Sequence, residues 1–429
     1  MKRSLLGGRL LDPSTGLDQI MDLHLEGAEV VALGRPPQGF AADETWSLQG
    51  QWVTPAFIDL SCHLREPGPS YKGTLLSETQ AALAGGFTRV CARADTQPPL
   101  DSAAVVQSLQ DKAQQAGACR VLPLGALTQG LQGQLLSNMA ALKRVGCVAV
   151  TNMREPLQDN LVWRRGLEYA ATCDLPVFFY PEDEALAQGG CAHEGALASQ
   201  LGLQGIPQTA ETLALARDLL LVEQTGVIAH FSHLSCAASV EMIRTAQAQG
   251  LPVTADVALS HLLFTDACLQ GYDSLYHVQP PLRSESDRLA LLQALREGVV
   301  GAVSSGHLPH EAAAKMAPFA ASEPGMSTLQ VLLPHLLRLV QQEQLQPLQM
   351  LASLSQGPAK VLGLPVPSLQ VGQQPDLVVI DPQRDWVLDE ESSLSAGRNV
   401  PGWQACLQGR VERVVLDGRL AWSVDASCE

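Results

Sequence analysis

Histidine, arginine and carboxylate side chains gather at the ends of short apolar runs in this chain. Asp59-Leu60-Ser61-Cys62-His63-Leu64-Arg65-Glu66-Pro67-Gly68 closes one run, and Arg93-Ala94-Asp95-Thr96 closes the next. Further along come Thr151-Asn152-Met153, Tyr180-Pro181-Glu182-Asp183, His230-Phe231-Ser232-His233 and Ser260-His261. The last is Ser304-Ser305-Gly306-His307-Leu308-Pro309-His310. Imidazoles and carboxylates are the raw material of metal-assisted hydrolysis. A bound zinc lowers the pKa of its water to about 7 and polarises a carbonyl. A catalytic zinc needs about three protein ligands converging on one point.

The elements that must bring these groups together are eight short apolar runs. They span residues 56–60, 87–92, 120–125, 146–151, 175–180, 226–230, 253–257 and 299–305. Between them lie stretches such as 101–118 and 209–224, with apolar residues at helical spacing. Eight strand-then-helix units over about 250 residues predict a (β/α)8 TIM barrel. In such a barrel the site forms at the C-terminal ends of the strands, where the polar groups above fall. The two termini read differently. Residues 5–11, 20–25 and 29–33, and later 377–380 and 411–416, are short strand-like runs separated by Gly, Pro and Asp turns. Asp417-Gly418 between two such runs is a hairpin signal. Residues 1–54 and 362–429 are therefore expected to form one small β-sandwich domain, and residues 55–361 the barrel.

Composition narrows the function classes. Of 429 residues, 46% are hydrophobic, enough for a large buried core. The 28 basic and 44 acidic residues give a net charge of −16, which argues against nucleic acid and anionic membrane as partners. No apolar run reaches the ~18 residues of a membrane span. The start, Met1-Lys2-Arg3-Ser4-Leu5-Leu6-Gly7-Gly8, carries no long apolar stretch. Ten cysteines without a CxxC pair read as reduced thiols, so a cytoplasmic protein is expected.

His63-Leu64-Arg65-Glu66-Pro67-Gly68 and Pro280-Pro281-Leu282-Arg283, with the segments 85–98, 253–265 and 307–310, resemble the cyclic amidohydrolases, dihydroorotase in particular. The resemblance extends from about residue 5 to residue 422. It implies an amidohydrolase-type TIM barrel with a β-sandwich built from both termini. It also implies a zinc site: an HxH pair after the first strand, an Asp or carboxylated Lys on the fourth, one His each after the fifth and sixth, and an Asp after the eighth that is both ligand and base.

The sequence departs from that pattern where the chemistry sits. Ser61 replaces the first His of HxH, and Thr151-Asn152-Met153 offers neither carboxylate nor Lys. Tyr180 stands at the fifth-strand His and Gly306 at the catalytic Asp. His63 and His233 alone remain, short of a catalytic zinc set. Glycine can neither bind metal nor take a proton. For the substrate carboxylate, the resemblance implies Arg65, an Asn and the last His of the eighth-strand motif. Arg65 and His310 are kept, but Asp95 stands at the Asn position, where it would repel a carboxylate, and Gln279 replaces the Asn before Pro-Pro-Leu-Arg. These four residues are thus the remnant of a substrate pocket.

Each residue also has a structural explanation. His63 and His233 can be packed barrel histidines, and Cys62 a small core residue pointing away from His63. Glu182 and Asp183 can cap the helix that follows them. His230 is expected to face the helices. His307 could restore some metal binding. Arg283 can bind carbonyls at loop ends, and residues 311–325, rich in Ala, Pro and Ser, are expected to be mobile.

The expectation is a non-catalytic dihydroorotase homologue without cofactor. The resemblance extends to a subfamily of such pseudo-enzymes, whose partner is the aspartate transcarbamoylase catalytic chain of pyrimidine synthesis. A homodimer would suit that assembly by symmetry. The alternative is an active, zinc-dependent cyclic amidohydrolase with a site rebuilt from His63, His233, His307 and Asp95 or Glu182. A third reading is a sensor that binds a pathway intermediate through Arg65 and His310.

Overall fold

The expected barrel is present. In the structure, a computed structural model, its strands are β1 (Phe57–Cys62), β2 (Phe87–Ala92), β3 (Arg120–Ala126) and β4 (Ala149–Thr151). They continue as β5 (Val177–Phe179), β6 (Ala229–Phe231), β7 (Val253–Ala258) and β8 (Ala302–Ser304). The structure describes residues 1–155 and 159–424. Residues 156–158 and 425–429, counted above with the barrel and the sandwich, lie outside the described residues.

The eight strands lie side by side in chain order and all pair in parallel. Parallel strands covered by helices are buried on both faces and read as continuous apolar runs, which is why they stood out in the sequence. Closure between β8 and β1 does not come from a full ladder. A single bridge joins Cys62 and His307, His63 N donates to His307 O at 2.9 Å, and Ser305 N donates to Asp59 Oδ1 at 2.7 Å.

Register decides which side chains face inward. Leu124 pairs with Ala149, Phe178 with His230, and Asp256 with Ala302. Cys91, Leu124, Ala149, Phe178 and Ala302 belong to one buried cluster that fills the barrel. Ala229 and Phe231, the alternate positions of β6, pack in the helix-side core with Leu215 and Val240. His230 therefore points into the barrel, correcting the expectation that it faces the helices. It lies against the Phe178 ring at 4.6 Å and bonds Asp256 Oδ2 at 3.0 Å. The inference failed because it carried strand alternation through to His233. The strand ends at Phe231, and His233 takes φ 58°, so the two-residue alternation is broken.

The termini form two sheets. Lys2–Leu6 lies between Leu23–Glu26 and Glu44–Ser47, with Glu29–Leu33 at the far edge. A six-stranded sheet runs Arg419–Ser423, Cys406–Leu416, Leu377–Val387, Trp52–Pro55, Arg9–Asp12 and Leu17–Ile20. Leu5, Leu25, Trp46, Val53, Val379 and Val415 share the apolar layer between them. The runs read as single strands at 5–11 and 20–25 are each broken by a turn, the first at Gly7 (φ 70°). The Asp417-Gly418 hairpin forms with both residues at positive φ. A Cβ on Gly418 would lie 2.5 Å from the backbone of Gly27, so only glycine fits there.

The helix Leu75–Ala84 starts on Thr74, whose side chain accepts from Ser77 N in a reciprocal capping box. Its Glu78 is fully buried and ties three parts of the molecule together. His307 Nε2, beyond β8, lies 2.8 Å from its Oε2. Ser395 Oγ and Ala396 N, from the long connection after Leu377–Val387, donate at 2.6 and 3.0 Å. Thr328 N donates to His307 Nδ1, so the ring proton is assigned to Nε2 and points at Glu78. Burial acts to raise the Glu78 pKa, but these hydrogen bonds outweigh it and hold the carboxyl below its ordinary value.

Residues 311–325, the segment expected to be mobile, are anchored at a few buried side chains and exposed between them. They contain two short 3-10 turns, Ala312–Lys315 and Phe319–Ala321. Phe319 is buried against the His277 ring, and Ser322 bonds His277 Nδ1.

Glu78→Ala should cost about 3–5 kcal/mol of unfolding free energy at pH 7, read by urea denaturation, because it leaves His307 and two donors buried and unpaired. Since the folded carboxyl has the depressed pKa, the Glu78 contribution is present above its unfolded value. The gap between wild type and variant should therefore narrow as pH falls below about 4.

Candidate functional site

The strand ends place Ser61, His63, Arg93, Met153, Arg154, Tyr180, His233 and Gly306 around the C-terminal mouth of the barrel. Tyr180 occupies its middle. Its hydroxyl lies 3.2 Å from Ser61 Oγ, so two of the substituted positions bond to each other. The ring sits edge-on to His233 at 5.2 Å, with the Arg93 and Arg154 guanidiniums 6.0 and 5.6 Å from its centroid. Burial pushes the Tyr180 phenol up to about 12, so it stays protonated. Tyr180 also joins Ala94, Ala126, Leu131 and Met153 in a small apolar cluster. The fourth-strand end thus contributes an apolar Met153 and no ligand. Thr151 Oγ1 is the acceptor for Met153 N, and Asn152 turns away from the mouth to accept from Thr128 Oγ1 at 2.6 Å.

His63 has both ring nitrogens engaged. Arg65 N donates to Nδ1 at 3.0 Å, which assigns the proton to Nε2, and Nε2 lies 3.3 Å from Asp95 O. Burial lowers its pKa to about 3, so the ring is neutral. His233 is likewise lowered to about 3 by burial, with Arg154 and Arg93 adding to the effect. Its backbone N–H is held by Asp256 Oδ1 at 2.8 Å, and its Nε2 is buried without a partner.

The family's zinc does not fit these residues. Among the described residues no group of three or more His, Cys, Asp or Glu side chains is placed to hold a metal ion. His63 has no free lone pair in its assigned tautomer. The Tyr180 ring stands beside His233, and Gly306 carries no side chain. The residues weighed as substitutes are committed elsewhere. His307 is bound to Glu78. Asp95 accepts from Arg93 Nε and Nη2 at 3.1 and 2.6 Å. Burial would raise the Asp95 pKa, but the Arg93 charge and hydrogen bonds hold it well below the usual carboxylate range. Glu182 accepts from Gln279 Nε2 at 2.7 Å and faces Arg154 at 3.4 Å. Asp183 alone caps the next helix, accepting from Leu186 N; Glu182 does not, correcting the shared capping role expected for the two.

The four substrate-pocket positions do not converge. Arg65 Nε donates to Pro309 O at 2.9 Å, and Arg65 Nη2 lies 3.2 Å from His310 Nε2. His310 is further enclosed by Lys72 Nζ at 3.1 Å and Pro324 O at 3.0 Å. Arg65 and His310 are buried and spent on the loop after β8, while Asp95 and Gln279 are spent on Arg93 and Glu182. Arg283 binds the Ile206 carbonyl at 2.7 Å, holding a loop end as its sequence context implied. Sequence reasoning passed over Arg93, Arg154 and Met153 as contributors to the mouth. The signal was there: residues 93 and 95 alternate inward beyond β2, and 153 and 154 come two and three residues after the end of β4.

Known proteins similar to this chain agree with its architecture. Residues 50–239 match the Dihydro-orotase-like family and residues 190–421 the Amidohydrolase family. A dihydroorotase-like protein of Pseudomonas aeruginosa is 52% identical over 420 residues, covering 98% of this chain and 99% of the relative. One from Pseudomonas putida is 50% identical with the same coverage. A dihydroorotase of Syntrophotalea carbinolica is 38% identical over 98% of this chain and 99% of its own. Among solved structures, L-hydantoinase (dihydropyrimidinase) from Arthrobacter aurescens superimposes with a TM-score of 0.87, over 97% of this chain and 95% of that one. At 21% identity this shows the shared fold.

Exhaustive chelation with EDTA should leave Tm unchanged within about 1 °C, because no metal-binding free energy supports the fold. His63→Ala should lower stability by about 1–3 kcal/mol with or without zinc, because it strands the groups that His63 pairs. Differential scanning calorimetry with and without chelator checks both.

Proposed function

This chain belongs to the dihydroorotase-like branch of the amidohydrolases, and we propose that it is a non-catalytic member whose role is structural. Its partner in this reading is the catalytic chain of aspartate transcarbamoylase, held in an assembly of pyrimidine synthesis. The observation that carries the non-catalytic reading is the contact between Tyr180 and Ser61, two positions where the resemblance implies zinc ligands. With Gly306 at the base position, no carboxylate among the described residues stands at the mouth free to activate water. The remaining histidines are neutral and buried, one of them fully hydrogen-bonded.

Metal-assisted amide hydrolysis needs a Lewis acid to polarise the carbonyl, a hydroxide, and a base that receives its proton. Restoring one ligand at this mouth would not supply the other two. The support for a scaffold role is that the fold itself is fully kept: both sheets, the barrel closure and the Glu78 tie are intact although the chemistry is not. The partner comes from the subfamily resemblance in the sequence. A dimeric scaffold would present two equivalent faces to such a partner, as two-fold symmetry requires.

Purified chain preincubated with excess zinc should hydrolyse dihydroorotate no faster than buffer, and should co-purify with the aspartate transcarbamoylase catalytic chain of the same organism. Turnover with one or two zinc ions per chain would establish the alternative, a rebuilt amidohydrolase site. Absence of a stable complex by size-exclusion chromatography at micromolar concentrations would remove the structural role.

A further inference from the structure

His233 leaves an unusual loose end. Its Nε2 is buried and has no hydrogen-bond partner, which native proteins rarely tolerate without a reason. The residue is also one of those lining a cavity of about 80 Å³, together with Arg93, Arg154, His261, Ser305 and Gly306. Space for one water takes about 10–15 Å³ on this measure, so the cavity has room for an ion of several non-hydrogen atoms. Among the described residues, no carboxylate lines it.

The position of Gly306 explains the space. A Cβ placed there would stand 3.2 Å from Ala258 Cβ and 3.7 to 3.9 Å from the His233 ring atoms Cε1 and Nε2. A side chain at 306 would thus reach directly toward the unpartnered nitrogen. Two guanidiniums lie around it, each also facing a carboxylate, Arg93 with Asp95 and Arg154 with Glu182. Arg154 has five N–H donors, yet its hydrogen bonds are long, 3.4 Å to Glu182 and 3.2 Å to Gln279 O. Arg93 gives Nε and Nη2 to Asp95, and its Nη1 lies outside that pair. Arg93, Arg154 and His233 all pack around the same Tyr180 ring, which holds them on one side of the cavity.

We propose that His233 carries its ring proton on Nε2 and that this cavity binds a small monovalent oxyanion, of the size of formate, acetate or bicarbonate, between that nitrogen and the Arg154 and Arg93 guanidiniums. The anion would place its oxygens in the space beside Gly306. This site is separate from the Arg65 and His310 pair, which is closed by its own hydrogen bonds. It rests on the non-catalytic reading, since a metal on His233 would take the same nitrogen. Charge-assisted hydrogen bonds from a guanidinium and an imidazole to a carboxylate are the strong kind, and they favour planar acceptors. Binding here would stiffen the junction of β6, β8 and the segment carrying Arg154.

The test uses the full-length, chelator-treated chain, titrated with sodium formate, acetate and bicarbonate against sodium chloride at constant ionic strength. The readouts are Tm and the His233 ring nitrogen resonances in protein labelled with 15N-histidine, assigned through His233→Gln. The expected result is a saturable shift of the His233 resonance with formate or acetate, a parallel rise in Tm, and no such response to chloride. Arg154→Met should weaken the response at least tenfold. Gly306→Asp should abolish it, because its own carboxylate enters the cavity; φ 60° is a conformation Asp accepts. Should Gly306→Asp fail to fold by circular dichroism, Arg154→Met decides. An unmoved His233 resonance in wild type, or equal affinities in wild type and Arg154→Met, would overturn the anion site. Stoichiometric zinc retained on His233 before chelation would instead overturn the non-catalytic reading beneath it.

Discussion

The barrel mouth depends on one buried carboxylate. Glu78 has no solvent exposure and accepts from His307, Ser395 and Ala396, three groups from two distant parts of the chain. A buried anion of this kind is tolerated only when its lone pairs are occupied, so each partner is held in place by the cost of losing it. His307 fixes the start of the loop after β8, whose carbonyl in turn receives His63 N and closes the barrel. The segment bearing Ser395 continues to Asn399, which accepts from His310 N and donates to Leu308 O. The terminal sheets are thereby stapled to the rim of the barrel.

With the rim fixed, the substitutions at the mouth support one another. A tyrosine at the fifth strand brings a hydroxyl to the serine of the first and a ring to the methionine of the fourth. An arginine pair surrounds that ring where a metal site would need carboxylates. Asp95 serves to neutralise Arg93, not to bind an external group. The mouth has exchanged a set of groups arranged to hold a cation for a hydrogen-bonded and apolar packing. That exchange favours order at the rim, and chemistry would require undoing several contacts together.

The architecture was legible because parallel strands buried on both faces leave continuous apolar runs, and because Asp417-Gly418 imposes a tight hairpin. The identities at Ser61, Tyr180 and Gly306 were equally plain. What sequence could not supply was the state of each retained group. Arg65 and His310 read as a pocket, but both are absorbed by backbone carbonyls of the neighbouring loop. His230 was misassigned because a positive φ at His233 breaks the alternation on which the inference relied. Arg154 was legible as a residue just beyond the fourth strand, but its place beside Tyr180 follows from the turn at Met153, which also has a positive φ. Each miss is a place where one tertiary contact overrides a local pattern.

On the proposed reading, the contacts of Tyr180, Ser61 and His63 keep this mouth from assembling a metal site. Anomalous diffraction at the zinc edge, from crystals grown with excess zinc, tests it most directly. The structure predicts no anomalous peak between His63 and His233, with Tyr180 still bonded to Ser61. A peak at about 2.0–2.1 Å from both histidine nitrogens, with Tyr180 displaced, would contradict it.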